Sequence, residues 1–271
     1  MSPAGPVGAA ERVILLNSLA IMLVIVVPTL IAAVAFAWWF RASNTRARHR
    51  PDWAYSGRIE LIVWSIPTLV ILFLGGVIWI GTHNLDPARP PGTQPAVLEI
   101  QVISLDWKWL FIYPRERIAT VNYLVVPTGA PFRLSLTSGS VMNVFFVPRL
   151  GSMIYTMNGM VTQLHLQADR AGQYPGQSAQ FSGDGFSDMR FVVRAVAPSD
   201  FTSWASGAHA NRARLDRSAY AELSKPRANV ASMTFGDVES GLFDAVVSQQ
   251  IAPGPGPENR TAPAPIAARS P

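Results

Sequence analysis

One carboxylate inside a long apolar run is the residue whose type and position most directly suggest chemistry. Glu60 is the only charged residue between positions 59 and 80. A carboxyl group can exchange a proton, and an ionisable side chain in an apolar membrane segment is costly, so Glu60 is a functional candidate by default. An alternative remains, because an acid in the first turn of a helix also stabilises the helix dipole. From spacing alone, the dipole is the favoured interpretation.

Residues that could bind a redox metal are few. The chain has no cysteine and four histidines, whereas copper and zinc sites need several imidazoles or thiolates together. The sequence therefore predicts no such site. Met189 is interpreted as a packing residue, because an isolated thioether is a weak ligand and a good gap-filler. His165 is expected to face solvent, like its neighbours Gln163 and Gln167; the other histidines are His49, His83 and His209.

Two apolar runs are each long enough to cross a membrane, and the second contains Glu60. Residues 13–40 carry no charge and residues 59–80 carry only Glu60, and each run exceeds the roughly 20 residues that cross a bilayer. The first run is also longer than the apolar part of a cleaved signal peptide, about 7–15 residues. Both runs are therefore predicted to be transmembrane helices.

The segment between the two runs predicts the topology. Residues 41–58 contain five arginines and one acid, Asp52, and short arginine-rich loops stay in the cytoplasm. Residues 1–12, both termini and everything after about Gly81 are therefore expected on the outer side. The net charge of +5 does not indicate a nucleic-acid partner, because no basic patch interleaved with aromatic residues follows this loop.

After a proline-rich linker, residues 81–96, the pattern becomes typical of strands. Apolar residues alternate from Leu98 to Val102, and the alternation then continues one residue out of phase from Ile103 to Phe111, which predicts a strand with a β-bulge. Further short runs separated by turn residues predict an all-β sandwich or barrel over residues 97–197. These runs are 119–126, 132–137, 143–147, 162–168 and 191–196.

The pattern is helical from Pro198 to residue 250. Ser199 is predicted to cap a helix that contains Phe201 and Trp204, and apolar residues spaced by four predict two further short helices. Short amphipathic helices are marginal alone, so they are expected to pack on a neighbour. Residues 251–271 are rich in proline and lack apolar periodicity, which predicts disorder.

Three motifs, in this order, carry a family resemblance. They are GRIELIVWSIP at 57–67, DWKWLFIYP at 106–114 and FVPRLGS at 146–152. With the two preceding apolar runs, they resemble subunit II of haem-copper oxidases, and specifically that of cytochrome bo-type ubiquinol oxidases. The resemblance covers nearly the whole chain. It implies a two-helix transmembrane hairpin, a cupredoxin-like Greek-key β-sandwich and a short, aromatic-rich helical C-terminal extension at 198–250.

Residues 141–148 and 176–189 resemble the loops that hold two copper ions in cytochrome c oxidases, with most ligands replaced. The resemblance implies that only Met189 is retained, and that no copper is bound. The missing glutamate also contacts magnesium in those relatives, so no magnesium is expected. The replacements are expected to let the site close without burying unpaired charge. Histidines are replaced by Asn143 and Phe186, cysteines by Ser178 and Ser182, and the glutamate by Gln180.

The resemblance also implies a function for the assembly. The implied complex is a proton-pumping oxidase of the bacterial inner membrane that oxidises ubiquinol and reduces oxygen to water, with haems and copper in subunit I. Glu60 would gather protons from the cytoplasm, and the β domain would be periplasmic. Trp107 and Trp109, on one face of a strand, are expected to pack in a core or interface rather than carry electrons.

The implied partners are subunit I, the other oxidase subunits, membrane lipid and ubiquinol, without cytochrome c. A cytochrome c oxidase subunit with an intact copper centre is excluded by the lack of cysteine. The remaining alternative is a non-catalytic, membrane-tethered scaffold or assembly factor with a degenerate cupredoxin domain. Retention of Glu60 in its helix favours the oxidase, because a scaffold needs no membrane carboxylate.

Overall fold

The computed structural model describes residues 2–48, 50–89, 98–254 and 256. The chain divides into two compact units, one of Ala10–Asp86 and one of Met1–Ala9 with Pro87–Pro271. Much of the predicted linker, most of the predicted disordered tail, and His49 lie outside the described residues.

Two helices make up most of the first unit. Helix α1 spans Pro6–Trp39 and helix α2 spans Gly57–Asn84, and both are long and apolar enough to cross a membrane. Helix α1 begins before the apolar run does, at a proline whose fixed φ suits the first turn of a helix. Gly81 of α2 lies against α1, since a Cβ there would be 2.7 Å from Cδ1 of Ile14.

The second unit is a β-sandwich of two main sheets. One has the strand order β12-β3-β2-β1-β5-β8 and the other the order β4-β10-β9-β6-β7, with β1 parallel to β5 and β4 parallel to β10. This arrangement confirms the predicted cupredoxin-like sandwich. The strands are β1 Leu98–Leu105, β2 Lys108–Tyr113, β3 Ile118–Val121, β4 Tyr123–Pro127, β5 Pro131–Ser138, β6 Asn143–Val147, β7 Gly151–Thr156, β8 Thr162–Gln167, β9 Gly172–Ser178, β10 Arg190–Val196, β11 Arg214–Leu215, β12 Met233–Phe235 and β13 Asp237–Val238.

The chain passes from the first sheet to the second at Asn122. The sequence predicts a single strand over residues 119–126, but β3 and β4 belong to different sheets. Asn122 lies between them with φ of 59°, a left-handed conformation that asparagine adopts more readily than most residues. Its side chain accepts a hydrogen bond from the N–H of Trp109 at 2.9 Å and donates one to the carbonyl of Val230 at 2.8 Å.

The phase shift in β1 has a different cause from the predicted one. Strand β1 pairs with β2 and β5 without a register shift, so the predicted bulge is wrong. From Val102 onward every residue of the strand is buried. Val102 enters the sandwich core, whereas Ile103 and Leu105 enter a second cluster on the other face. A sheet covered on both faces shows continuous rather than alternating apolar residues.

The C-terminal extension forms this second cluster with the first sheet. Leu215, Tyr220, Leu242 and Phe243 are buried in it, which confirms that the short helices pack on a neighbour. Strand β12 also adds to the sheet by pairing with β3. Helix α3 starts at Pro198 without a side-chain cap, so the predicted cap by Ser199 is wrong. The helices are α3 Pro198–Ala208, α4 Arg217–Ser224 and α5 Leu242–Val247.

The first residues of the chain pack on the sandwich. Ala4 is 1% exposed and belongs to the sandwich core. Its N–H donates to the carbonyl of Arg149 at 2.8 Å, and its carbonyl accepts from the N–H of Asp169 at 2.8 Å. Gly5 allows this close approach, because a Cβ there would lie 2.0 Å from the carbonyl oxygen of Gln167.

The extension has a comparable close approach at Gly236, which gives a stability prediction. A Cβ there would lie 1.9 Å from the main-chain oxygen of Asn211, so we expect Gly236→Ala to destabilise the extension by about 1–3 kcal/mol, as overpacking does. Helical Gly207 has no such neighbour within 4 Å, and Gly207→Ala should stabilise by up to about 1 kcal/mol. Thermal unfolding of the two variants should therefore shift in opposite directions; a shared direction would contradict the prediction.

Candidate functional site

Glu60 lies in the first turn of α2. Its Oε2 accepts a hydrogen bond from Nε1 of Trp64 at 3.3 Å, because residues four apart share one face of a helix. Ser56, the residue that precedes the helix, makes no side-chain cap. Glu60 forms no ion pair with another described residue, and it is exposed in the isolated chain. Trp64 is thus a positioning partner that the sequence could have indicated through its spacing.

At the copper-loop positions, two polar side chains bond to each other. Asn143 begins β6 and Ser178 ends β9, and the two strands are neighbours. The hydroxyl of Ser178 donates to Oδ1 of Asn143 at 3.1 Å, and Nδ2 of Asn143 donates to the carbonyl of Val141 at 3.3 Å. Asn143 is 1% exposed and Ser178 is 4% exposed. This half of the loop region is closed by neutral hydrogen bonds, as expected from the residue types.

The other half of the loop region packs around Trp107. The indole Nε1 donates to the carbonyl of Ser182 at 3.0 Å. Gly185 lies directly against the ring, since a Cβ there would be 2.3 Å from Cδ2 of the indole. Phe186 packs edge-on against Phe181 with ring centroids 5.6 Å apart. The hydroxyl of Ser182 is buried without a partner among the described residues, so closure here depends on packing more than on hydrogen bonds.

Trp107 and Trp109 do not lie on one face of a strand, and that prediction is wrong. Trp107 is in the turn between β1 and β2 with φ of 65°. Trp109 is in β2 and fully buried, with the rings of Phe145 and Phe191 at 5.4 and 5.5 Å. The predicted role in packing agrees with this environment.

Met189 and His165 are both buried. Met189 is 1% exposed within the sandwich core, in agreement with its interpretation as a packing residue. His165 is 8% exposed, so the prediction that it faces solvent is wrong. Its main-chain N–H donates to the carbonyl of Pro87 at 3.0 Å, and its Nδ1 lies 3.3 Å from the same oxygen. Pro87 therefore contacts it, a tertiary interaction that strand alternation cannot reveal.

Two further histidines make local contacts. His83 lies against Trp79, with ring centroids 4.4 Å apart, and Nδ1 of His209 is 2.7 Å from the carbonyl of Gly236. Within the described ranges, no three His, Cys, Asp or Glu residues are grouped so that they could hold a metal ion.

Two buried charged residues, Asp106 and Lys108, were not among the predicted site residues. Each is 1% exposed. Nζ of Lys108 donates to the carbonyls of Asp106 at 3.0 Å and Lys225 at 2.8 Å, so it ties β2 to the end of α4. Burial lowers the pKa of Lys108 to about 8, opposed by the Asp106 carboxylate and assisted by Arg227. Burial also raises the pKa of Asp106, opposed by a hydrogen bond from Ser140 and by Lys108.

Residues 99–196 match the family model for the periplasmic domain of cytochrome C oxidase subunit II, and residues 209–254 match the COX aromatic rich motif. Cytochrome bo(3) ubiquinol oxidase subunit 2 of Pseudomonas aeruginosa is 45% identical over 248 residues, which are 92% of this chain and 75% of that protein. Ubiquinol oxidase subunit 2 of Acetobacter aceti is 44% identical over 253 residues, 92% of this chain and 81% of that protein. Among solved structures, the periplasmic domain of cytochrome oxidase subunit II of Bradyrhizobium japonicum is 23% identical; the match covers 43% of this chain and 96% of that domain, with a TM-score of 0.41.

Proposed function

The chain belongs to the family of subunit 2 of cytochrome bo(3)-type ubiquinol oxidases, and we propose that its Glu60 admits cytoplasmic protons to such a complex. The complex oxidises ubiquinol, reduces oxygen to water and pumps protons across the bacterial inner membrane. The observation that carries the proposal is the position of Glu60, a carboxylate without an ion-pair partner among the described residues, in the first turn of a membrane-spanning helix.

The surroundings of Glu60 suit a proton-entry group. The preceding loop carries the arginines that favour a cytoplasmic location, so the first turn of α2 lies near the cytoplasmic surface. A single indole hydrogen bond orients the carboxylate and leaves room for water or a partner's side chain. A helix-dipole role would also account for an acid in this turn, but it would affect the stability of the helix rather than the rate of turnover.

We further propose that this subunit holds no redox metal and that haems and copper reside in subunit I. The side chains at the five replaced ligand positions supply amide, hydroxyl and phenyl groups, which are poor copper ligands beside thiolate and imidazole. Two of them, Asn143 and Ser178, already bond to each other. Quinol is membrane-soluble, so electrons can reach subunit I without a water-soluble donor docking on the exported domain.

The two membrane helices are proposed to anchor the chain on subunit I, with both termini and the β domain in the periplasm. Large apolar side chains along α1 and α2 are exposed in the isolated chain, among them Leu30, Phe36, Leu61, Trp64 and Phe73. Such surfaces need lipid or a partner helix to cover them, and association within a membrane depends on close packing between helices.

Glu60→Gln tests the proton-entry role. The variant removes the titratable group but keeps its shape and its hydrogen-bond acceptor, so the complex should assemble with normal haem content. We expect quinol-driven oxygen uptake to fall about tenfold, equivalent to roughly 1.4 kcal/mol in the activation barrier. Glu60→Asp, which keeps a carboxylate, should recover part of the rate.

Asp52→Asn is the matched control, because it removes one acid from the adjoining loop outside the helix. It should leave oxygen uptake unchanged. Trp64→Phe removes the indole donor and should slow turnover less than Glu60→Gln does. Full turnover in an assembled Glu60→Gln complex would reduce Glu60 to a helix-dipole residue and leave family membership untouched.

A further inference from the structure

The loop between the two membrane helices lines an open cavity of about 800 Å³ with basic and aromatic side chains. We refer to it as the loop pocket. It lies between the last turn of α1 and the first turn of α2, within a single compact unit. Its main lining side chains are three arginines and three aromatic residues, Arg41, Arg48, Arg50, Phe36, Phe40 and Trp53.

Hydrogen bonds around Asn44 give the loop a defined conformation. The side-chain nitrogen of Asn44 donates to the carbonyl of Trp39 at 2.5 Å, at the end of α1. Its side-chain oxygen accepts from the N–H of Arg46 at 3.1 Å, and its main-chain N–H donates to the carbonyl of Arg41 at 2.9 Å. The pocket is therefore part of a folded turn.

Among the described residues, the arginines of the pocket have no acidic partner. None of Arg41, Arg48 and Arg50 forms an ion pair within the described part of the chain, and the only acid of the loop, Asp52, does not line the cavity. Arg41 lies over the ring of Trp38 at 5.2 Å, which leaves Arg48 and Arg50 as the freer pair. Guanidinium groups bind phosphate oxygens in a bidentate manner.

The aromatic side of the pocket is apolar surface at the end of a membrane helix. Phe36 and Phe40 stack with ring centroids 6.1 Å apart, and they are 65% and 56% exposed. A free inorganic anion would use the arginines but gain nothing from the phenyl rings. An acidic protein segment would likewise leave them uncovered. A ligand with a phosphate beside hydrocarbon would satisfy both sides.

We propose that the loop pocket binds the headgroup of an anionic phospholipid. Arg48 and Arg50 would contact the phosphate, and Phe36 and Phe40 would contact the upper part of an acyl chain. Basic pockets between membrane helices bind lipid headgroups in this way. The inference needs only that the loop joins two membrane-spanning helices, and it is independent of the role of Glu60.

The test uses the purified oxidase complex in phosphatidylcholine nanodiscs, titrated with cardiolipin or phosphatidylglycerol and followed by native mass spectrometry. A basic residue near an anionic surface contributes about 1 kcal/mol, or about fivefold in affinity. We therefore expect Arg48→Gln to weaken retention of anionic lipid about fivefold, and the double variant with Arg50→Gln about 25-fold. Arg46→Gln is the matched control, since it removes the same charge from the same loop outside the pocket lining, and it should retain the lipid.

Three results would overturn the proposal. Equal weakening by Arg46→Gln would indicate diffuse attraction to the membrane instead of a site. Displacement of the lipid by millimolar inorganic phosphate would indicate a free-anion site. Because the chain lacks cysteine, Arg48→Cys can carry a single cross-linker, and efficient cross-linking to a partner subunit would show that protein covers the pocket. The proposal would be supported if lipid retention depended on Arg48 and Arg50 but not on Arg46. In that case inorganic phosphate would not displace the lipid, and Arg48→Cys would not cross-link efficiently to a partner subunit.

Discussion

Trp109→Ala is expected to remove about 3–5 kcal/mol from the unfolding free energy of the exported domain, the range for truncating a large buried aromatic residue. Trp109 is fully buried in β2 of the first sheet and contacts two rings of the facing sheet, with Phe145 edge-on at 5.4 Å and Phe191 at 5.5 Å. Such a loss is a large part of a typical domain's total stability. Thermal unfolding of the purified complex, followed by near-ultraviolet circular dichroism, would measure it.

Trp109→Phe is the informative control. The indole N–H of Trp109 has no hydrogen-bond partner among the described residues, so phenylalanine loses only part of the packing contacts. We expect Trp109→Phe to lower the unfolding free energy by less than half as much as Trp109→Ala. We expect this variant to keep its quinol-driven oxygen uptake. A stable Trp109→Phe complex that lost turnover would instead point to a role for the indole in electron transfer.

Local patterns in the sequence were sufficient to predict the two long apolar helices and the position of Glu60 near the start of the second. An uncharged run of this length has few soluble alternatives, and the first-turn position of Glu60 follows from where the apolar run begins. The helix start at Pro6 could not be read from hydropathy, because residues 6–12 include polar and charged positions. Ala4, just before this helix, and Gly8, in its first turn, form hydrogen bonds with the sandwich. These tertiary contacts accompany the earlier helix start and cannot be read from the local sequence.

Strands that depend on tertiary context were harder to predict. Strands β7 and β9 were not predicted at all, since Gly151–Thr156 has few buried residues and Gly172–Ser178 is rich in glycine, glutamine and proline. Strands β1 and β2 were predicted as one strand with a bulge, whereas a turn at Asp106 and Trp107 separates them. The second apolar face of β1 packs against residues of the C-terminal extension, which lie far away in the sequence. Single-sequence periodicity cannot distinguish a register shift from coverage on both faces.

The copper-loop positions illustrate the same limit at the level of side chains. Residue types alone predicted that Asn143 and Ser178 could replace metal ligands without leaving buried charge, and their mutual hydrogen bond agrees. The contact of Trp107 with Ser182 and Gly185 was not predictable, because it depends on a left-handed turn at the tryptophan. A lysine between two tryptophans in an apolar strand, as at Lys108, is a pattern in the sequence that could have predicted a buried amine.

The second large prediction concerns Lys108. The unfolding free energy of the exported domain is expected to rise between pH 8 and pH 10. The pKa of this lysine is about 8 in the folded chain and 10.5 when unperturbed. Between these values the unfolded chain holds a proton that the folded chain has released, so stability increases with pH. The slope approaches about 1.4 kcal/mol per pH unit in the middle of this window, and the contribution of Lys108 rises by about 2 kcal/mol between pH 8 and pH 10. Below pH 8 both states are charged, and the cost of burying the ammonium is fully present.

Buried tyrosines set the upper end of this window. Burial raises the pKa of Tyr113 and of Tyr220 above the ordinary value of 10. Above about pH 10 the unfolded chain therefore loses phenolic protons that the folded chain keeps, and stability falls as pH rises. The two opposing effects place the maximum near pH 10.

Hydrogen–deuterium exchange of residues 209–254 in the intact complex, corrected for the pH dependence of intrinsic exchange, would measure the rise, because Lys108 holds the carbonyl of Lys225 at the end of α4. Protection should increase from pH 8 to pH 10 in the natural chain. Lys108→Met should remove the increase, since methionine keeps the length of the side chain but does not titrate. Lys225→Met is the matched control, because the side chain of Lys225 is exposed and, among the described residues, pairs only with exposed Glu222; it should keep the increase. An increase that survives Lys108→Met would assign the effect to another group and show that the buried ammonium costs little in the folded chain.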